Sequence, residues 1–455
     1  MIPTKMMAAS LAFLVYCENV EGGLNSTFTR IVDSTMVAPG SMSRFSYFNP
    51  PSLDCGNVVF SAAKEGIPGA WLYGYFDGIL IRIADEITVL PNGGGPMQSI
   101  NYSPTIAGQL VGFWASSAGG NQRGVYTYSN GAFQVIADRN TLIPSTPRTF
   151  YDFGPPSMTK DAIAFVGEDR PTMGPNDFGI YSFTSLGLQV HVNGQTPVPG
   201  GGSFFGLLSN SLPYLDGQRI VFHGGPSADG IYLFDGSAVQ LIANYSTPVP
   251  GFSGYFNSFS SQSAVLSGDT VVFWGGSGAY EGLFATYPAF RRVADLNEYV
   301  PDGLGRFTRF PRQNFSIDGD MIAFLGEGYI GQKGIYAEIA GSLHKVIDLD
   351  DLLDGQPLSF IGLGMGREAA SGNQIAFSAQ FATGTSAIYL ATINCIAGDL
   401  NNDLTISIDD LDLFSTIVLA PAAADSGEFC SADLNSDGCV NGLDVQGFIE
   451  AVTKQ

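Results

Sequence analysis

The stretch RIVFHGGPSADGIYLFDGSAVQLIANYSTPVPG, Arg219 to Gly251, decides the fold. It opens on an apolar run closed by Phe222, passes through a Gly-apolar-aromatic triplet at Gly230, turns apolar again from Val239 to Ala243, and ends in a Pro-containing turn. Short β-branched and aromatic runs punctuated by Gly and Pro are strands and turns, and no helical stripe links them. Such a unit cannot cover its own apolar faces and needs neighbours of the same kind.

The neighbours are in the chain. The strand ending at Phe222 recurs at Phe60, Phe113, Phe165, Phe273, Phe324 and Phe377, and the series is spaced by 53, 52, 57, 51, 51 and 53 residues. The triplet recurs at Gly124, Gly179, Gly282 and Gly334, and a third strand leads to IADE, IADR, IANY or VADL before a Pro turn and a fourth short strand. Four strands per unit of this length describe propeller blades. The predicted fold class is therefore all-β, a seven-bladed β-propeller over residues 22–394. The seventh unit stops at SAIYLATIN, and the missing half stands at the other end as TRIVDSTMVAPGSMSRFSYF. Residues 27–48 are expected to join residues 372–393 in one composite blade, closing the ring by its N-terminal strands and leaving no open edge. The repeat resembles a tandem-repeat domain of unknown function found in bacterial secreted proteins, a likeness that implies no catalytic residues.

Composition agrees. Of 455 residues 58 are Gly, 12% are aromatic and only 14% are charged, the balance of many short strands and tight turns. A formal charge of −22 excludes nucleic acid as a partner, because phosphate binding needs a basic surface, and makes cations the natural small partners. At the N-terminus Lys5 precedes an apolar run from Met6 to Tyr16. Residues 1–21 read as a secretory signal segment, too short to span a bilayer, with a lipid-modified Cys17 as the alternative. No other segment spans a membrane, so the protein is expected to be secreted or displayed at the cell surface. Cys55, Cys395, Cys430 and Cys439 then remain, and Cys395 is expected to bridge Cys430 or Cys439.

Two columns of the repeat carry residues capable of chemistry. Asp33, Asp85, Asp138, Asn193, Asn244, Asp295 and Asp348 hold one place in seven units. They form either a cation-binding carboxylate ring or a turn device, and the recurrence in every unit favours the turn. The residue after the anchor Phe varies, and Trp114, His223 and Trp274 at that column are candidate ligand-binding residues for a sugar, with packing between blades as the plainer reading. No catalytic residue is assigned. The three histidines, His191, His223 and His344, lack metal-ligand spacing, and no nucleophile elbow, P-loop or dinucleotide fingerprint is present.

Residues 395–455 differ from the rest, with eleven acidic side chains against Lys454. GDLNNDLTISIDD and ADLNSDGCVNGLD align at an offset of 34 residues, so that Asp399, Asn401, Asp403 and Asp410 match Asp433, Asn435, Asp437 and Asp444. Oxygen ligands at loop positions 1, 3, 5, 7 and 12 wrap one hard cation. The position-7 carbonyls belong to Thr405 and Cys439, and Ser407 and Asn441 at position 9 act through water. A helix is expected after each loop, with Leu411, Phe414 and Val418 matching Val445, Phe448 and Val452 on one apolar face.

This doubled loop and helix resembles a dockerin, a small C-terminal α-helical domain with two EF-hand-like calcium sites. Aspartate at position 12 fits that family. Leu404 stands where the second loop has Gly438, so the first calcium site is expected to be the weaker. Dockerins contact cohesin partners largely through positions 10 and 11, often Ser-Thr-like. Here these are Ile408 and Asp409, then Gly442 and Leu443, which points away from a standard cohesin and toward another surface partner or the chain's own propeller. The leading expectation is a recognition or scaffolding propeller attached through this module. The alternative is a carbohydrate-active enzyme, a glycoside hydrolase or lyase, acting on polysaccharide. Two or three carboxylates near aromatic side chains at one mouth of the ring favour the enzyme, and an apolar or amide-lined mouth favours binding.

Overall fold

The computed structural model describes residues 25–93, 95–100, 103–120, 122–169, 177–199, 201, 204, 212–225, 228–339, 341–394, 398–400, 406–420, 431–434 and 440–453. Their strands form seven antiparallel sheets arranged as a β-propeller. The first sheet shows the plan. Its innermost strand is split into Phe45–Phe48 and Ser52–Asp54, both paired with Asn57–Lys64, because Pro50 and Pro51 between them cannot donate to a ladder. Ile67–Phe76 and Ile79–Ala84 follow outward. Asn57–Lys64 is almost continuously buried, since both of its faces meet neighbouring sheets, whereas Ile79–Ala84 opens toward solvent at its start.

The anchor phenylalanines are the packing unit of each sheet. Phe60, Phe113, Phe165, Phe222, Phe273, Phe324 and Phe377 pair across strands with Tyr73, Tyr126, Tyr181, Tyr232, Phe284, Tyr336 and Tyr389. Their ring centroids lie 5.8 or 5.9 Å apart in every case. Cross-strand aromatic pairs of this kind add stabilisation beyond their buried area. Each ladder slips by one residue just after the triplet glycine, between the apolar and aromatic residues that follow it. A Cβ on Gly124 or Gly230 would stand 2.6 Å from the carbonyl oxygen of Ala137 or Ala243 on the next strand outward, so only glycine lets the backbones approach.

The two ends of the repeat region meet. Asn25–Asp33 is the outermost strand of the last sheet and pairs with Ser386–Asn394 from Asn25 opposite Asn394 to Asp33 opposite Ala387. The expected pairing of residues 27–48 with residues 372–393 is corrected in its second part. Phe45–Phe48 joins the first sheet through Asn57–Lys64, because the Pro turn after each outermost strand carries the chain across to the next sheet. The innermost strands are also tied sideways. The N–H of Gly108 donates to Asp54, Met158 to Thr105, Leu215 to Ser157, Gly268 to Asp216, Gly319 to Ser267, Ala369 to Ser316, and Cys55 to Ser371. Each bond links one sheet to the next, and the last returns to the first.

In the tail, Leu411–Leu419 (α1) and Asp444–Thr453 (α2) pack through Phe414 and Phe448, stacked at 4.2 Å. Ile417 is buried beside them, while Leu411 and Val445 at the start of the expected apolar faces are exposed. Phe414, Val418, Phe448 and Val452 of the expected faces thus belong to or pack on the buried cluster, and only the first residue of each face stands outside it.

Candidate functional site

The axis of the propeller holds a cavity of about 720 Å³. The innermost strands build it, because each ends in a tight turn at the same mouth. Asp54, Asp216 and Asp318 stand at three of those turns, and Ile106, Met158 and Tyr214 line the wall. Each aspartate accepts the N–H of the next turn, from Gly108, Gly268 and Gly372. Burial, with Asp54 and Asp216 adding to it, pushes the Asp318 carboxyl above its usual range against the pull of the Gly372 and Gly319 N–H groups.

Glu368 of the dipeptide Arg367-Glu368 is also among the lining residues. The Arg367 guanidinium donates to the carbonyls of Pro213 at 3.0 Å and Pro156 at 3.3 Å and sits over the Tyr214 ring. Glu368 lines the cavity, and both of its carboxyl oxygens are closed to solvent without a well-formed hydrogen bond. Burial pushes this carboxyl up, and Arg367, the Thr105 and Ser157 hydroxyls and the Ile106 N–H pull it back only in part. Lys160 is the one basic side chain among the lining residues.

The sugar-stacking candidates do not meet. Trp114, His223 and Trp274 lie in three different sheets. Trp274 is 1% exposed and covered by the Arg312 guanidinium at 4.3 Å, so its faces are spent on packing. Trp114 packs against the core of the neighbouring sheet. His223 accepts the Gly225 N–H at Nδ1 and faces Asp229 at 2.9 Å through Nε2, while the Tyr245 hydroxyl donates to the other Asp229 oxygen. These contacts occupy both imidazole nitrogens. The Asp and Asn column is a turn device as well: the seven side chains accept from the N–H two residues on, at Thr35, Ile87, Asn140, Gln195, Ser246, Asn297 and Asp350.

Among the expected calcium ligands, Asn401, Asp403, Thr405, Asn435, Asp437 and Cys439 lie outside the described residues, as do Cys395 and Cys430, Leu404 and Gly438. Asp399, Asp410 and Asp444 are buried, and Asp433 is partly so. Asp410 accepts from the N–H groups of Leu400 and Ser407, and Asp444 accepts from Asn441. Among the described residues no three Asp, Glu, His or Cys side chains converge on a metal-sized site, and no helix is long and apolar enough to cross a membrane.

The axial residues escaped the sequence reading, although one signal was available. Asp54, Asp216 and Asp318 each precede a tight turn at the repeat period, three residues before a strand that ends in an anchor Phe or runs toward one. Glu368 has no such column, and only the three-dimensional ring brings it to the axis.

The family model described as a family of unknown function (DUF7453) matches residues 54–388. The chain belongs to this family. Among curated proteins no sequence matches the chain. Solved structures are similar in fold at low identity. A prolyl endopeptidase studied for inter-domain dynamics is 11% identical, with 77% of this chain and 51% of that one covered and a TM-score of 0.43. The β-propeller domain of the Trilobed protease from Pyrococcus furiosus is 11% identical over 68% of this chain and 100% of that one, with a TM-score of 0.32. The SapL1 lectin, solved with alpha methyl fucoside, is 10% identical over 66% and 95%, with a TM-score of 0.34. The chain spans about half the length of the prolyl endopeptidase.

Proposed function

We propose that this chain is a secreted or surface-displayed, seven-bladed recognition propeller, held to a partner through a calcium-binding dockerin-like tail. Seven sheets, seven aromatic anchor pairs and a cycle of inter-sheet hydrogen bonds that returns to its start support the blade number. The observation that carries the recognition reading is the axial cavity. It lies inside a ring whose innermost strands are bonded to one another, so a ligand meets a preformed, rigid pocket.

The calcium reading rests on the duplicated loop pattern and on the buried aspartates Asp399, Asp410 and Asp444 at matching loop ends. Two sites are proposed, the first weaker. Ile408 and Leu443 are 66% and 69% exposed, so the tail offers apolar groups where a standard cohesin meets hydroxyls. A different surface protein is the proposed partner.

A second reading, a carbohydrate-active enzyme working on polysaccharide, is favoured by one observation: three aspartates and Tyr214 share the axial mouth. A glycan array probed with the full chain, followed by analysis of each hit for released product, separates the readings. Retention without product supports recognition, and product release supports the enzyme. Calcium titration by calorimetry tests the tail, with two unequal sites expected and an absence of binding overturning the assignment.

A further inference from the structure

We propose that a cleft between the second and third sheets holds one neutral pyranose residue of a saccharide, its apolar face on Phe183 and its hydroxyl edge at Thr127 and Gln134. The proposal rests on the reading of the chain as a recognition propeller and adds where, and by what chemistry, a glycan is gripped.

Two facing rows of side chains build the cleft, since residues directly opposite one another on paired strands share a face of their sheet. On the second sheet Gly112, Thr127 and Gln134 stand opposite one another on three successive strands. On the third sheet Met158, Ile163 and Phe183 do the same. A Cβ on Gly112 would lie 2.9 Å from Ile163 Cδ1 and 3.1 Å from Met158 Sδ, so the two rows meet there. Further out they part around a cavity of about 420 Å³, with Thr127, Gln134 and Ile136 on one side and Ile163 and Phe183 on the other. Thr127 is 5% exposed, yet its hydroxyl has no hydrogen-bond partner among the described residues. A hydroxyl buried to that degree ordinarily has one.

The next junction shows what such a place holds. Ser182 and Phe234 are the counterparts of Thr127 and Phe183, with Ser182 opposite Gln189 and Phe234 opposite Ile220. His191 stands between them, its Nε2 2.7 Å from Ser182 Oγ and its ring packed on Phe234 at 4.6 Å. A flat ring with a polar edge thus bridges hydroxyl and phenyl. His191 is the residue skipped where the ladder slips, and Ile136 has that place in the second sheet. An isoleucine gives Thr127 no edge to bond and Phe183 no ring to meet. The lining then gives the class of ligand. Ile163 and Phe183 form an apolar floor under the hydroxyl of Thr127 and the amide of Gln134, and a pyranose carries C–H groups over one face and hydroxyls around its edge. Lys160 and Asp161 are the charged lining residues and cancel, which suits a neutral sugar. Leu110, Met158, Thr159 and Lys160 line both this cleft and the axial cavity, so adjoining residues of a glycan run toward the axial mouth.

Saturation-transfer NMR of the full chain with methyl glycosides of glucose, galactose, mannose and xylose tests the proposal, with imidazole as comparison probe and glycan-array retention as a second readout. At least one glycoside is expected to bind, and Thr127→Val to weaken it about two- to tenfold, the worth of one hydrogen bond. Ile136→His, which copies the His191 arrangement, is expected to abolish glycoside binding and to lower retention of array hits. Melting temperatures establish that the variants are folded, and Phe183→Leu, which removes the ring and keeps the floor apolar, is expected to weaken binding where Ile136→His does not fold. Absence of binding by every glycoside overturns the saccharide assignment, and imidazole bound in their place gives the cleft to a heterocycle. Array hits retained equally by Thr127→Val and Ile136→His but weakened in Asp54→Asn would overturn the cleft and leave axial recognition standing. An array without hits would overturn the recognition reading itself, and this proposal with it.

Discussion

Removing the N-terminal strand is the sharpest perturbation of the ring. Consider the chain begun at Ser34, which lacks Asn25–Asp33 and leaves Ser386–Asn394 as an open edge. Ile31 and Val32 are 7% and 0% exposed, and burying each contributes about 1.5–3 kcal/mol, so their loss removes about 3–6 kcal/mol. The edge-to-face contact of Phe28 with Phe377 at 6.1 Å adds about 0.5–1.5 kcal/mol. Domains are stable by roughly 5–15 kcal/mol in total, so the truncation takes a large share before the broken ladder is counted. Thermal unfolding followed by circular dichroism should show either no folded baseline or a melting temperature lowered by many degrees. The double variant Ile31→Ala, Val32→Ala should fall between the truncation and the full chain. A truncated chain that melts at the full chain's temperature would refute the closure argument, because the last sheet would then be complete without its outermost strand.

Four further outcomes follow from the same structure. Glu368→Gln should raise the melting temperature at pH 8 and lose that advantage at pH 4. The folded carboxyl titrates above its unfolded value, so the folded state holds the extra proton between the two values and stability falls as pH rises through that window. Gly230→Ala should cost about 1–3 kcal/mol in denaturant unfolding, since its Cβ meets the Ala243 carbonyl oxygen at 2.6 Å. Trp274→Ala should cost about 3–5 kcal/mol while leaving ligand retention on an array unchanged, because the ring is packed and covered by Arg312. On the proposed calcium assignment, chelation should lower the tail's stability by about 2.7 kcal/mol for each site held at a hundredfold over its dissociation constant, read as lost protection of the α1 and α2 amides in hydrogen exchange.

Much of the fold was legible because one residue type marks it. Phe60 and its six successors occupy a fully buried position whose cross-strand partner is aromatic in every sheet, so their spacing exposed both the architecture and the repeat. The assignment of Phe45–Phe48 failed for a physical reason: the strand after a Pro turn has the same local pattern whichever sheet it joins, and only the crossing direction decides. Exposure was equally invisible for Trp274, since a large aromatic at a variable column suits a surface and a blade interface alike. The Asp and Asn column was readable as a turn device because the required contact is local, from each side chain to the N–H two residues on. Glu368 was not readable, because its neighbours Thr105, Ile106 and Ser157 come from sheets more than two hundred residues earlier in the chain.

The measurement that bears most directly on the recognition reading is the fate of a retained ligand. Full-length protein is equilibrated with each binder found on the array, then the bound fraction is released and weighed by mass spectrometry. Recovery of the ligand unchanged, with retention weakened in Asp54→Asn or Asp318→Asn, is the result expected of a recognition propeller. A shortened or otherwise altered product, formed by the full chain and absent from the same two variants, would contradict it and make the axial carboxylates catalytic.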